Sequence, residues 1–151
     1  MRKRMLVIVV AIFTVIGLQA QKKTTQEEQK MEKEHVEFRA QLVIPMSLPQ
    51  KDVSGDNYFI QISEEEIVSE LPYLGTAHRA MNPERDKGMR FKGKPENFVL
   101  VKNNGQTTIN ASVKTESDEF NISLSASSSG YATLIINSRN RETITYRGEI
   151  K

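Results

Sequence analysis

The chain of 151 residues contains no cysteine and only two histidines. Without cysteine it can form no disulfide and no thiolate metal site, and it lacks a cysteine nucleophile and the cysteine that a lipoprotein anchor requires. The histidines, His35 and His78, are 43 positions apart, so the His-x-x-x-His spacing of zinc sites is not present. The sequence therefore predicts neither a metal nor a cofactor, and a fold held by its apolar core and backbone hydrogen bonds.

Local motifs of common enzyme classes are also missing. No serine lies in a Gly-x-Ser-x-Gly or Ser-x-x-Lys pattern, and no glycine-rich phosphate loop is present. Carboxylate pairs such as Glu64/Glu66 and Asp118/Glu119 occur where turns or solvated surface explain them, and nothing marks a pair that would face a glycosidic bond. We therefore expect a protein that is not an enzyme, with an uncharacterised hydrolase as the catalytic alternative.

The first 20 residues have the order of a secretory signal peptide. A basic stretch, Arg2 to Arg4, precedes an uncharged apolar run of twelve residues from Met5 to Ile16, and small residues then lead to Ala20. The alternative is a transmembrane anchor, but the run is shorter than the roughly 20 residues that span a bilayer. We expect cleavage after Ala20, no stable membrane span afterwards, and a periplasmic or extracellular protein.

The small positive charge of the chain comes from this leader. The chain has 21 basic and 19 acidic residues, and three of the basic ones precede Met5, which leaves 18 against 19 in the remainder. A nearly neutral mature chain lacks the basic footprint of a nucleic-acid-binding protein. Arg139, Arg141 and Arg147 are close together in sequence, either as solvated arginines of a hairpin turn or as a patch for lipopolysaccharide or an acidic glycan.

Residues 21–35 form a polar segment between the leader and the first strand. It is rich in glutamate and lysine, which are good helix formers, but it has too few apolar residues to bury much surface. The composition predicts a linker or a short N-terminal helix within Thr25 to Glu34, which could also serve as a tether or docking arm.

Alternation of apolar and polar residues dominates residues 36–151. It is clearest in Gln106 to Lys114 and Glu119 to Ala126, where every second residue is apolar or small. Asn104-Gly105 suits a tight hairpin, and short links favour antiparallel neighbours. Further strand-like runs cover residues 36–44, 58–62, 67–71, 88–93, 97–102, 131–137 and 142–150. The pattern predicts an all-β domain of about eight antiparallel strands, as a sandwich or a flattened barrel, because an open sheet would leave its apolar face bare.

Three stretches resemble a family of secreted Bacteroidetes proteins, a domain of unknown function numbered 4251. They are Leu71-Pro-Tyr-Leu-Gly75, Gly88-Met-Arg-Phe-Lys-Gly93, and the terminal pair Ile136-Asn-Ser-Arg-Asn-Arg141 and Ile144-Thr-Tyr-Arg-Gly-Glu-Ile150. The resemblance extends over Glu34 to Ile150. It implies a β-rich fold and, for many members, a place in the cell envelope; it implies no activity, substrate or cofactor.

One segment, Pro72 to Arg90, interrupts the strand pattern, and residues 76–86 have no periodicity at all. A long irregular loop on a β scaffold is often a binding loop, or simply mobile. We select as candidate ligand-binding residues its aromatic, basic and apolar side chains, Tyr73, His78, Arg79 and Met81. The leading hypothesis is a non-enzymatic binding module of the envelope for an unknown ligand or protein. The alternative is an assembly partner that docks through a strand edge or the N-terminal helix.

Overall fold

The computed structural model describes residues 35–78 and 88–151. Within these ranges the chain forms ten strands and no helix, which confirms the predicted all-β class. The strands are β1 (Val36–Pro45), β2 (Lys51–Asp52), β3 (Phe59–Ile62), β4 (Ile67–Leu71), β5 (Met89–Gly93), β6 (Glu96–Asn103), β7 (Gln106–Lys114), β8 (Glu119–Ala126), β9 (Tyr131–Ser138) and β10 (Ile144–Ile150). The predicted signal peptide, polar linker and N-terminal helix lie outside the described residues. In the described part, no helix has the length and apolarity to cross a membrane.

Nine of the ten described strands begin and end within two residues of the predicted runs. The bounds of β4, β7 and β8 coincide with the predicted runs 67–71, 106–114 and 119–126. The additional strand is β2, which falls within the polar residues 50–57 between two predicted strands. A strand of two residues is too short to show a period, so it depends entirely on its partner β1.

The ten described strands form a single antiparallel sheet. Their order is β5-β4-β3-β1-β10-β9-β8-β7-β6, and β2 lies beside β1. Residues 36–39 of β1 pair with β3, and Leu42 and Val43 pair with β2, so this long strand serves two partners along one edge. The sheet curls into a half-barrel, where the sequence left a sandwich or a flattened barrel open. Curling lets one sheet cover its own apolar face without a second layer.

The alternating apolar residues line the concave face of the sheet. In β8, for example, Phe120, Ile122 and Leu124 are buried and Asn121 is exposed. The arms of the sheet meet where the ring of Phe91 in β5 stacks on the ring of Phe120, with centroids 4.2 Å apart and planes 8° from parallel. Because β5 is an edge strand and β8 is third from the other edge, this contact closes the curl across the core.

β1 and β10 approach one another unusually closely at Gly148. The register between the two strands shifts between Ala40 and Leu42, which marks a β-bulge, and Gly148 lies opposite Ala40. A Cβ atom at Gly148 would overlap the carbonyl oxygen of Arg39 and lie 2.9 Å from its carbonyl carbon. The obstacle is backbone and cannot rotate away, so only glycine fits this position.

We expect Gly148→Ala to lower the free energy of unfolding by about 1–3 kcal/mol, because the backbone of β1 must move to admit the methyl group. Gly55→Ala is the matched control: a Cβ atom there would have no atom within 4 Å, so the change should stay within about 0.5 kcal/mol. Urea denaturation of both variants provides the measurement. Equal stability of the two would contradict the close approach.

The hairpin of β6 and β7 has the tight turn that the sequence predicts. Asn103 pairs with Gln106, and the two residues between them, Asn104 and Gly105, have φ values of 48° and 78°. Positive φ at both positions is typical of a type I′ turn, which matches the twist of the flanking strands. This turn determines which residues of β6, an edge strand of the sheet, direct their N–H and C=O groups towards β7.

Candidate functional site

A buried ion pair lies where the chain leaves β9. The Nε atom of Arg141 is 3.3 Å from Oδ2 of Asp118, and the side chains are 2% and 0% exposed. Burying two charges is costly unless they are paired and hydrogen-bonded. Together with Tyr73, Ser138 and Tyr146, these two residues form a cluster that we call the polar anchor.

The other contacts of Asp118 satisfy its carboxylate. Oδ2 also accepts a hydrogen bond from Ser138 Oγ at 2.5 Å, and Oδ1 accepts one from the backbone N–H of Glu119 at 2.8 Å. A tight turn holds the residue in place, because Thr115 donates its N–H to the Asp118 carbonyl and accepts the Asp118 N–H on its hydroxyl. The connection between β7 and β8 therefore delivers a fixed carboxylate to Arg141.

The two tyrosines of the polar anchor tie it to the segment after β4. The guanidinium carbon of Arg141 lies 5.1 Å from the ring centroid of Tyr73, a cation–π distance. The Tyr73 hydroxyl donates to the carbonyl of Thr76 at 2.8 Å, and the fully buried Tyr146 donates to the carbonyl of Pro72 at 2.7 Å. Burial is the main cause that raises the pKa of both phenols, so both hydroxyls remain protonated donors.

Backbone contacts extend this attachment along residues 72–78. Glu142 donates its N–H to the carbonyl of Thr76 at 3.1 Å, and His78 donates its N–H to the carbonyl of Asn140 at 2.8 Å. Ala77 forms an isolated antiparallel bridge with Arg141. The first part of the predicted binding loop is therefore fastened to the β9–β10 connection as a short additional ribbon.

The candidate ligand-binding residues have different positions. Tyr73 is half-buried and its hydroxyl is used inside the polar anchor, whereas the side chain of His78 is exposed. Arg79 and Met81 lie outside the described residues, so their part in a site stays a prediction. The three C-terminal arginines do not share one environment: Arg141 is buried, whereas Arg139 and Arg147 are exposed.

A groove of about 990 Å³ lies beside this attachment, between the β4–β5 hairpin and the β7–β8 connection. We call it the seam groove, because it follows the line along which the two arms of the half-barrel meet. Its lining residues are Val68, Glu70, Gly88, Arg90, Phe91, Lys92, Lys114, Thr115, Glu116, Ser117 and Phe120. Gly88 and Arg90 fall within the predicted binding segment Pro72 to Arg90, but none of the lining residues was among the four selected side chains. Five of the eleven are ordinary outward positions of predicted strands.

The seam groove has basic side chains on both walls. Arg90 and Lys92 extend from β5, and Lys114 ends β7. They pair with Glu70 at 3.6 Å, Glu66 at 3.0 Å and Glu96 at 3.1 Å, respectively, and all six side chains are close to half exposed or more. The hydrogen bond to Glu96 is the main cause that raises the pKa of Lys114, so this ammonium group remains charged at neutral pH.

In residues 35–78 and 88–151 the structure contains no group of three or more histidine or acidic side chains arranged to hold a metal ion. The described groups of the seam groove can form ion pairs and hydrogen bonds with a bound molecule. Its two phenylalanines offer a limited apolar floor, since both are buried.

The chain is similar to one protein family in sequence and to solved structures in fold. The family described as "Domain of unknown function (DUF4251)" matches residues 18–150. A crystal structure of a DUF4251 family protein from Bacteroides eggerthii DSM 20697 has a TM-score of 0.56 and 15% sequence identity, over 81% of this chain and 80% of that chain. No curated protein matches the chain. At this identity the structural likeness concerns the fold alone.

Proposed function

The chain belongs to the DUF4251 family, whose description assigns no function, and from this premise we propose that it is an exported, non-enzymatic binding module of the cell envelope. The ligand site of this proposal is the seam groove, and the ligand carries carboxylate or phosphate groups. The observation that carries the proposal is the presence of Arg90, Lys92 and Lys114 on the two walls of one groove.

The existing ion pairs leave these three cations available to a ligand. Exposed ion pairs contribute only about 0–1 kcal/mol, because water solvates both partners and pairing costs side-chain entropy. A ligand that presents several anionic groups can replace the intramolecular carboxylates at little cost. Lysine and arginine side chains then bind phosphate or carboxylate by charge-assisted hydrogen bonds.

The polar anchor supports this site without touching the ligand. It fastens residues 72–78, and Gly88, which lines the groove at the entrance to β5, lies next to Tyr73 and Arg141 of the polar anchor. A groove whose borders are held by buried hydrogen bonds is pre-organised, which lowers the entropic cost of binding. In this proposal Tyr73 holds the border of the groove in place and does not contact the ligand. His78 is the selected residue whose side chain is exposed and which follows the polar anchor residue Tyr73 most closely in sequence.

Export is supported by the basic start, apolar run and small residues of positions 1–20. We propose that the processed protein begins at Gln21 and acts in the periplasm or outside the cell. Intact-mass measurement of the protein from its native envelope tests this before any binding assay. A chain that retains residues 1–20 in the membrane would contradict export.

Replacing Arg90, Lys92 and Lys114 together by glutamine is expected to weaken the binding of an acidic probe at least tenfold. The physical reason is the loss of three charge-assisted contacts. Losing about 1.4 kcal/mol of binding free energy, which one such contact can supply, already raises the dissociation constant tenfold. The probes are a galacturonate trisaccharide, which carries carboxylates, and lipopolysaccharide, which carries phosphates. Calorimetric titration of the processed protein measures both, and their comparison separates the two sources of negative charge.

A matched triple variant, Lys51→Gln, Lys102→Gln and Arg147→Gln, removes the same charge from exposed positions outside the seam groove. It should bind like the unmodified protein. If this control loses binding instead, the site lies elsewhere on the surface. If the unmodified protein binds neither probe at millimolar concentration, the anionic ligand class is wrong.

The second candidate function is assembly with another protein through a strand edge. The observation that favours it is the long, exposed edge strand β6. Its central residues are apolar, whereas the edge strand β5 carries the charged residues Arg90 and Lys92. The alternative docking element, the N-terminal helix, lies outside the described residues.

A further inference from the structure

β6 is an edge strand with little protection against pairing. Among the described strands it pairs only with β7. Monomeric proteins usually shield such edges with charges, prolines, bulges or very short strands. β6 has eight residues and contains four consecutive apolar ones, Phe98 to Val101. A register shift between Glu96 and Val99, with a φ of 53° at Asn97, disturbs only its first part.

The turn after β6 determines which backbone groups point away from β7. In a two-residue hairpin the residues flanking the turn, here Asn103 and Gln106, exchange both hydrogen bonds. Hydrogen-bonded and non-hydrogen-bonded pairs alternate along an antiparallel ladder, so the backbones of Val101 and Val99 also bond to β7. The N–H and C=O groups of Leu100 and Phe98 therefore point outward, in the plane of the sheet.

Both faces of this edge carry apolar surface that β7 does not cover. Val99 and Val101 lie on the outer face and are 50% and 52% exposed. Phe98 and Leu100 lie on the concave face, where they pack against the core but remain half-buried. A strand added at this edge would cover all four side chains at once.

We propose that β6 pairs antiparallel with β6 of a second copy of this chain, about a two-fold axis at Leu100. In this register the two Leu100 residues exchange outward hydrogen bonds, and Phe98 lies opposite Lys102 of the second copy. Val99 lies opposite Val101 of the second copy, so four exposed valines form one apolar patch across the axis. The two half-barrels then share a continuous sheet.

The second copy is favoured over an unrelated strand because the segment complements itself. The two-fold register places apolar residues opposite apolar residues on the outer face and leaves the bulged Glu96 end outside the pairing. An interface of one strand pair is small, at the low end of specific interfaces. We therefore expect a dimer whose dissociation constant is on the order of micromolar. This inference does not depend on the seam groove and narrows the assembly alternative to one partner.

Sedimentation velocity of the processed full chain over a series of concentrations tests the dimer. The variant Val99→Lys/Val101→Lys would place four ammonium groups beside one another across the axis and should shift dissociation at least tenfold to higher concentration. Ile135→Lys is the matched control, because Ile135 is also an exposed apolar residue of the outer face, in β9. The control should dimerise like the unmodified protein.

Cross-linking tests the register, since the chain has no native cysteine. The variant Leu100→Cys should cross-link in high yield with a short bis-maleimide, because opposed Cα atoms in a hydrogen-bonded pair are about 5.5 Å apart. The variant Ile135→Cys should not, because β9 lies three strands from the edge and the two copies would be roughly 30 Å apart. A chain that stays monomeric at millimolar concentration overturns the proposal. A dimer that is unchanged by the lysine substitutions and is not cross-linked through Leu100→Cys also overturns it. The same holds if the chain is a monomer and hydrogen exchange shows that another protein protects the β6 amides.

Discussion

Asp118→Asn is expected to lower the free energy of unfolding by about 3–5 kcal/mol, because it leaves the Arg141 guanidinium buried without the carboxylate beside it. The substitution keeps the shape of the side chain and the acceptor for the Glu119 N–H. It replaces Oδ2, which accepts from Arg141 and Ser138, by an amide NH2 group, so the loss reports the missing charge together with this acceptor. Domains of this kind have a total stability of about 5–15 kcal/mol. The variant should therefore unfold at a much lower urea concentration than the unmodified protein.

A neighbouring arginine provides the control for this prediction. Arg139 also pairs with a carboxylate, that of Glu119 at 3.5 Å, but its side chain is 75% exposed. Arg139→Met should change stability by less than about 1 kcal/mol. Arg141→Met should cost several times more. The double variant Asp118→Asn/Arg141→Met should cost less than the sum of its single variants, because the two substitutions remove the same buried interaction.

Urea denaturation of these variants measures the coupling as a double-mutant cycle. Additive effects of the two substitutions, or a loss at Asp118 no larger than at Arg139, would show that the ion pair is not what holds the β7–β8 and β9–β10 connections together. Far-ultraviolet circular dichroism of each variant verifies that the native state being compared is still the β-sheet.

The strands were predictable because their signal is local. An alternation of apolar and polar side chains within eight or nine residues predicted β7 and β8 to the residue, and Pro72 marked the end of β4. The hairpin turn at Asn104 and Gly105 followed from two residue types that tolerate positive φ. None of these features requires knowledge of a distant partner.

The polar anchor was not predictable in the same way. Arg139 and Arg141 are two positions apart in one connection, yet one side chain is exposed and the other is buried. The difference comes from Asp118, which the pairing of Phe120 with Ser138 brings opposite the β9–β10 connection. Extending that hairpin register past the end of β9 would have placed Asp118 near Asn140. This is the signal that could have identified the pair.

The candidate binding site was only partly accessible to sequence reasoning. The irregular segment drew attention to the neighbourhood of the seam groove, since Gly88 lines it. Its selected aromatic residue, Tyr73, proved to be a half-buried contact of Arg141. The basic residues of the groove belong to different strands, and they meet only because the sheet curls. Curvature is a property of the assembled sheet, so no single stretch of sequence reports it.

Phe120→Ala is expected to lower the free energy of unfolding by about 3–5 kcal/mol and to loosen the curl itself. The ring is 2% exposed, and its removal leaves a cavity under Phe91, the residue with which it stacks. Among the described strands β5 pairs with β4 alone, so its packing on β8 is what keeps this edge folded over the core. The backbone amides of β5 should therefore exchange with solvent faster than those of β9 and β10.

Leu134→Ala separates this local effect from a general loss of stability. Leu134 is fully buried in β9, in the interior of the sheet, and its truncation should cost about 2–5 kcal/mol. Because β9 is held by β8 and β10 on its two sides, no edge should open selectively in this variant. Hydrogen–deuterium exchange of both variants, compared at equal global stability in adjusted urea, distinguishes the two. If β5 exchanges equally fast in both, the stacked phenylalanines contribute to the core without closing the half-barrel, and the seam groove would not depend on them for its shape.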